Sequence, residues 1–440
     1  MNPISRINIL ARVGAFVFVV FVFSLAPSAR ADADVLNPLS TFVVDRLTDA
    51  NPTGGGEGSG LAGDLRYAIT NAQSGDSITY NVTGTINLSG ALPNLTRNVN
   101  IQGPGASSLI VNGGGGRVFT VANGTTVILS GLTITGGVGN GGGIFNSGTL
   151  TLNDITVSGN VAGDPTNGGG TGPGIWNYLN ATLTLNDCTV SSNSAIGNLS
   201  YNPSRGGGIA NYGTLTLNNS TVSGNSASQG FGGGINNTGT ISLTNSTVSG
   251  NSATYGGGIH TSGGTATLTN VTFSGNSAAD GGGVFNVDVP ATLTHLKNTL
   301  IAGSLSGGNC QGKAFASSQS SLSSDGTCAL GGVGDQNEVD PLLTALGNYG
   351  GPTLVHMLEV GSPAIDAVVG SDAPATDQRG FPRPQGGGYD IGAVERQSGD
   401  FVFPPTKLYF PLILNKGLET VATSRDSSII VREIESREVR

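Results

Sequence analysis

Three histidines, His260, His295 and His356, are the first places to look for chemistry in this chain of 440 residues. His260 ends the phrase "STVSGNSATYGGGIH", in which a glycine-rich stretch leads to an imidazole that could act as a general acid or base. Such a role needs partners. A Ser-His-Asp set, an HExxH helix or a Cys-x-x-Cys pair would supply them, and no such pattern appears. A glycosidase would need two carboxylates facing one cleft. Asp154 and Asp187 recur in equivalent phrases, "LNDIT" and "LNDCT", but Asn219, Asn245 and Asn270 stand at that place in other copies. Turn formation therefore explains the two acids better than catalysis. A polysaccharide lyase would want a base and carboxylates for calcium, yet between Arg117 and Lys297 the only basic side chain is Arg205. The sequence assigns no catalytic residue, metal ligand or cofactor, and an enzyme is the less favoured reading.

Aromatic residues make up only 6% of the chain, so their grouping is informative. Phe145, Trp176, Ala210, Asn236, His260 and Phe285 each follow the same apolar residue of a repeated phrase. Alternation turns that column away from the core. Phe145 and Trp176 would be neighbours about 5 Å apart, one strand spacing, with Tyr178 and Tyr212 as a second pair two residues on. Phe145, Trp176, Tyr178 and Tyr212 are thus the candidate ligand-binding residues, a platform for sugar rings or a partner protein. The alternative is that insertions at 161–172 and 196–205 fold over the rings and bury them.

A repeat positions these residues. "GGGIFNSGTLTLNDITVSGN", "GGGIANYGTLTLNNSTVSGN" and "GGGINNTGTISLTNSTVSGN" are three of its copies. The anchors Ile144, Ile175, Ile209, Ile235, Ile259 and Val284 lie, by subtraction, 31, 34, 26, 24 and 25 residues apart. A period in this range means a solenoid. Within each copy apolar residues alternate with Thr or Ser, as in Leu215, Thr216, Leu217, and a period of two belongs to a strand. Short strands at this period can coil one turn per repeat, each pairing in parallel with its counterpart, which gives an all-β parallel β-helix. The glycines then serve tight corners. Asn160, Asn193, Asn225, Asn251 and Asn276 stack at one corner, and Asn146, Asn177, Asn211, Asn237 and Asn286 at another, as hydrogen-bonded ladders.

The remaining segments frame the coil. Arg6 and Arg12, an apolar run "VGAFVFVVFVFSL" and "APSARA" make residues 1–31 a secretory signal peptide. The apolar run is short of the roughly 20 residues a spanning helix needs. No other stretch could span, so the mature chain is expected outside the cytoplasm, secreted or attached to the cell surface. A net charge of −9 with no basic stripe argues against nucleic acid. Residues 32–77 form an N-terminal cap in which Leu65, Ala68, Ile69 and Ala72 share one helical face. The coil is expected over 78–302 and a small C-terminal domain over 303–397, with Cys310 and Cys328 placed to close a disulfide loop; Cys188 reads as a buried small apolar residue. Residues 398–440 form a tail with the short apolar motif "KLYFPLIL" and a flexible end.

The "GGGI" and "FSGN" phrasing, complete only at Phe273–Asn276, resembles the polymorphic outer-membrane protein repeat over residues 139–301. "AGDLRYAI" and the segment before it resemble the N-terminal module with a CSLREA motif, here without its Cys. "VDPLLTALGNYGGPTLVHMLEVGSPAIDA" and "DQRGFPRPQGGGYDIGAVE" resemble a choice-of-anchor Q domain. These resemblances imply a right-handed, single-stranded β-helix at the cell surface, with a structural, adhesive or carbohydrate-binding role. A polysaccharide lyase or glycoside hydrolase on the same pectin lyase-like fold is the alternative.

Overall fold

A computed structural model describes residues 39–400, apart from positions 165, 167 and 371, together with the backbone of two strands further on. The expected signal peptide and the apolar motif of the tail lie outside the described residues. The alternation read in the sequence becomes a parallel β-helix. In the turn that begins at Gly206, Ile209, Leu215, Leu217 and Val222 point inward and are fully buried. Burying each such side chain contributes roughly 1.5–3 kcal/mol, and the same set recurs turn after turn. Thr214 and Thr216, between them, face outward as a period of two requires.

Successive turns pair in register. Ile144–Asn146 lies against Ile175–Asn177, followed by Ile209–Asn211, Ile235–Asn237, Ile259–Thr261 and Val284–Asn286. They belong to an eight-stranded parallel sheet from Phe119–Val121 to Cys310–Gly312. A larger sheet stacks Thr149–Ser158, Thr182–Asn186, Thr214–Asn218, Thr240–Ser249 and Thr265–Ser274. A third, of five strands, takes Val161–Ala162, Ser194–Ile196, Ser204–Arg205, Ser226–Phe231 and Ser252–Tyr255. Both ends of each insertion are therefore woven into the coil.

Left-handed backbone turns the chain at its corners. Gly206, Asn219 and Gly224 have φ of 63°, 50° and 63° within one turn. Asp154, Asp187, Asn245, Asn270 and Asn298 occupy the corner of Asn219, with φ between 46° and 55°. Asn and Asp are the side chains that best tolerate this conformation. Inside the coil, Nδ2 of Asn160, Asn193, Asn225 and Asn251 each donates to Oδ1 of the next Asn, at 2.9, 2.9, 2.9 and 3.0 Å, ending at Asn276. The second ladder runs from Asn146 through Asn177 and Asn211 to Asn237 at 2.8 Å per step. It does not reach Asn286. Thr261 intervenes with a buried, unpartnered hydroxyl, and Asn286 Oδ1 accepts from Thr294 Oγ1 instead.

The helix Leu65–Asn71 closes the start of the coil, capped by Asp64, whose side chain accepts from the Tyr67 N–H. Leu65, Ala68, Ile69 and Ala72 join the same core as Ile78 and Ile86. Arg66, on this helix, is buried against Asp49 at 2.7 Å, side chains of both 2% exposed. Two boundaries move. Thr41–Val44 pairs with Ser77–Tyr80, so the large sheet begins ahead of Ile78. Cys310–Gly312 pairs with Val284–Asn286 and Ser317–Gln319 with His295–Lys297, so the coil passes through 302. The repeated phrase changes there while the register persists: Gly307, Gly308 and Asn309 pair with the preceding triple glycine, and Cys310 takes the core column of the earlier Ile and Val. Cys310 is bonded to Cys328, Cα atoms 4.8 Å apart.

Beyond the coil the chain returns along the large sheet. Thr353 Oγ1 donates to the Asn219 carbonyl, and Thr221 Oγ1 to the Leu354 carbonyl. Thr247 Oγ1 donates to Gln378, Asn245 Nδ2 to the Thr376 carbonyl and Asn270 Nδ2 to the Gly392 carbonyl. Leu358, Ala364, Val368 and Ile391 pack with Leu300 and Leu322 in a core of their own. Farther on, Leu418–Arg425 and Ser428–Glu435 pair as an antiparallel hairpin. No helix among the described residues is long and apolar enough to cross a membrane.

Candidate functional site

The parallel pairing brings the candidate aromatic residues together on the outer side of the eight-stranded sheet. Phe145 and Trp176 stand opposite each other in register, ring centroids 5.1 Å apart and edge to face. Tyr178 lies 5.7 Å from Phe145 and 5.5 Å from Trp176, and Tyr212 lies 6.3 Å from Trp176. Tyr178 is 46% exposed, while Phe145, Trp176 and Tyr212 are half-buried. The Trp176 Nε1–H is buried and has no acceptor. Arg117 places its guanidinium 4.9 Å from the Phe145 centroid, a cation–π contact. Burial pushes the Tyr212 hydroxyl pKa up, with Arg205 acting in the opposite sense.

His260 belongs to a second cluster on the same face, separated from the first by Ala210 and Asn236. Its ring is parallel to Phe285 at 5.4 Å and lies 4.9 Å from Phe231. Tyr255 stacks on Phe231 at 5.6 Å. The column points away from the core as alternation predicts, yet it is covered at this point: His260 is only 5% exposed. Phe231, just before the triple glycine 232–234, lies over it, and Tyr255, before the next triple glycine, lies against Phe285 in the same way. Burial, with Arg205 adding, lowers the His260 pKa to about 4. The imidazole is neutral at pH 7, with Nδ1 bonded to Asn236 Oδ1 at 3.0 Å.

The other two histidines are held structurally. His356 Nδ1 donates to the Thr344 carbonyl at 2.7 Å, which leaves Nε2 to accept from Ser249 Oγ at 2.9 Å. A serine and a histidine meet here, but the pair is sealed between coil and return segment, and a carbonyl stands where a triad has a carboxylate. His295 pairs with Ser317 on an exposed part of the sheet.

Asp154 and Asp187 line a groove of about 450 Å³ with Ser107, Thr133, Thr156, Thr189 and Pro352. Burial raises the Asp154 pKa, and Asp187 adds to it. The lining contains no basic side chain and no histidine. Among the described residues no three His, Cys, Asp or Glu side chains are grouped to hold a metal ion.

Sequence reasoning singled out four rings and missed Arg117 as the neighbour of Phe145, and Phe231 and Tyr255 as the rings of a second cluster around His260. The signal lay in the position before each glycine triplet, occupied by Arg205, Phe231, Tyr255 and Asp280 in successive turns. No family model, curated protein or solved structure matches this chain.

Proposed function

We propose that this chain is a secreted or surface-attached structural protein that binds carbohydrate on the face formed by Phe145, Trp176, Tyr178 and Tyr212, without catalysis. The observation that carries the reading is the clustering itself. In a chain with 6% aromatics, four rings gather outside the core within 5.1–6.3 Å of their neighbours. Sugar C–H faces stack on such rings, while a polar edge such as a tyrosine hydroxyl stays wet. The surface location rests on the N-terminal apolar run and on the resemblance to the polymorphic outer-membrane protein repeat and the choice-of-anchor Q domain.

A glycan array with the purified chain tests the proposal. Tyr178→Ala, at the most exposed ring, should weaken binding about tenfold, the equivalent of 1.4 kcal/mol, with the unfolding midpoint unchanged. Binding that ignores Tyr178 and Trp176 would overturn the assignment of the face. Release of unsaturated or reducing ends from any polysaccharide would replace it with a lyase or hydrolase.

A further inference from the structure

The aromatic face carries positive charge that the protein leaves unpaired. Arg117 over Phe145 makes one hydrogen bond from Nη2, to the Asn140 carbonyl, and its Nε has no partner. Arg205 pairs its strand with Phe231 and lies close enough to Tyr212 and His260 to act on the titration of both. Neither arginine is in an ion pair with a carboxylate among the described residues; those pairs involve Arg46, Arg66, Lys297, Arg379 and Arg383. Arg97 and Arg396 likewise lack a carboxylate partner and donate to backbone carbonyls instead. Arg66, Arg379 and Arg383, the deeply buried arginines, all have acids against them.

Near Arg205 the outward column holds Ala210 between Trp176 and Asn236. Two N–H donors there lack acceptors, Trp176 Nε1 and Asn236 Nδ2, and Asn236 is 2% exposed. The Asn236 oxygen is already engaged by His260. A buried donor without an acceptor is unfavourable by about 1–3 kcal/mol. The two arginines thus flank the ring cluster, Arg117 through its contact with Phe145 and Arg205 through the strand it pairs with Phe231.

We propose that this face selects an anionic glycan, one bearing carboxylate or sulfate groups, which Arg117 and Arg205 engage at opposite ends of the ring cluster. The planar guanidinium fork matches both groups through paired N–H···O bonds. The proposal rests on the glycan-binding reading of the face. His260 contributes no charge at neutral pH, so the arginines alone supply the attraction.

The test titrates the full chain with three oligosaccharides of equal length, a polyuronate, a sulfated galactan and a neutral glucan, at low and at physiological salt. The expected result is that at least one acidic ligand binds about tenfold more tightly than the neutral one at low salt. Added salt should narrow the gap. Arg205→Met should narrow the preference with the unfolding midpoint unchanged, Arg205→Lys should restore part of it, and Arg117→Met combined with Arg205→Met should abolish it. The uronate and sulfate arms separate the two sources of negative charge. Equal, salt-insensitive binding of all three ligands that still requires Tyr178 would overturn the anionic selection and leave the glycan face standing. Loss of binding to none of them on Tyr178→Ala would overturn both.

Discussion

Asn225→Ala puts the interior ladder to a quantitative test. Asn225 is 1% exposed and its side chain makes four hydrogen bonds. Nδ2 donates to Asn251 Oδ1 and to the Val190 carbonyl, each at 2.9 Å, and Oδ1 accepts from the Asn193 backbone N–H at 3.0 Å and Nδ2 at 2.9 Å. Truncation removes all four. Asn193 Nδ2 keeps the Val157 carbonyl, and Asn251 Oδ1 keeps the Asn225 backbone N–H. The Asn193 backbone N–H is stranded in a dry interior, at about 1–3 kcal/mol, and the other lost bonds add about 1 kcal/mol each. The variant should lose about 4–6 kcal/mol. Asn218→Ala is the control, since Asn218 donates to Asn186 at 2.9 Å in an outer, half-buried ladder where water can replace the amide. Its expected cost is about 1 kcal/mol or less. Urea unfolding of the two variants, compared at equal m values, reads the difference. Losses within about 1 kcal/mol of each other would refute the idea that the interior ladder depends on its own amides.

Two more outcomes follow from buried titratable groups. With His260 at about 4 against an ordinary 6.5, the unfolded chain binds a proton in that window that the folded chain does not. Stability therefore falls as pH drops from about 6.5 to 4, by up to about 3 kcal/mol, and His260→Gln should remove that part of the slope; identical pH profiles of the two proteins in urea titrations would contradict it. Burial also pushes the Cys188 thiol up to about 12, with Sγ against the Asn186 carbonyl at 3.1 Å. A maleimide at mildly alkaline pH should label it only at the rate of unfolding, and rapid labelling of native protein would show that the core opens there.

The coil itself was legible because its signal is local and repeated. Leu215, Thr216 and Leu217 state the period of two, and the recurring isoleucine states the turn. Comparison of Asp154 and Asp187 with Asn219 was enough to identify a corner, which the left-handed φ values explain. The covering of His260 was not legible from alternation. Period decides which face a side chain takes and is silent about what lies over that face, here Phe231 from across a glycine corner. The passage of the coil beyond 302 was hidden for a similar reason. Cys310 fills a position held by Ile or Val in earlier turns, and the motif changes while the register persists. Contacts such as Thr247 to Gln378, 131 residues apart, leave no trace in local periodicity.

The return segment also bears on how such a chain can change length in evolution. Tandem repeats gain and lose units by duplication and deletion, and each added turn displaces everything beyond it by one strand spacing, about 4.8 Å. Between Asn219 and Asn298 the return segment is bonded to successive turns, through Thr353, Gln378, His356 and Gly392. An extra unit there would pull these bonds out of step. Upstream of Asn219 no hydrogen bond joins the return segment to the coil among the described residues. Copy number is therefore fixed in the downstream half and free in the upstream half, so lineages that lengthen this protein should do so around Phe145 and Trp176, extending the row of rings.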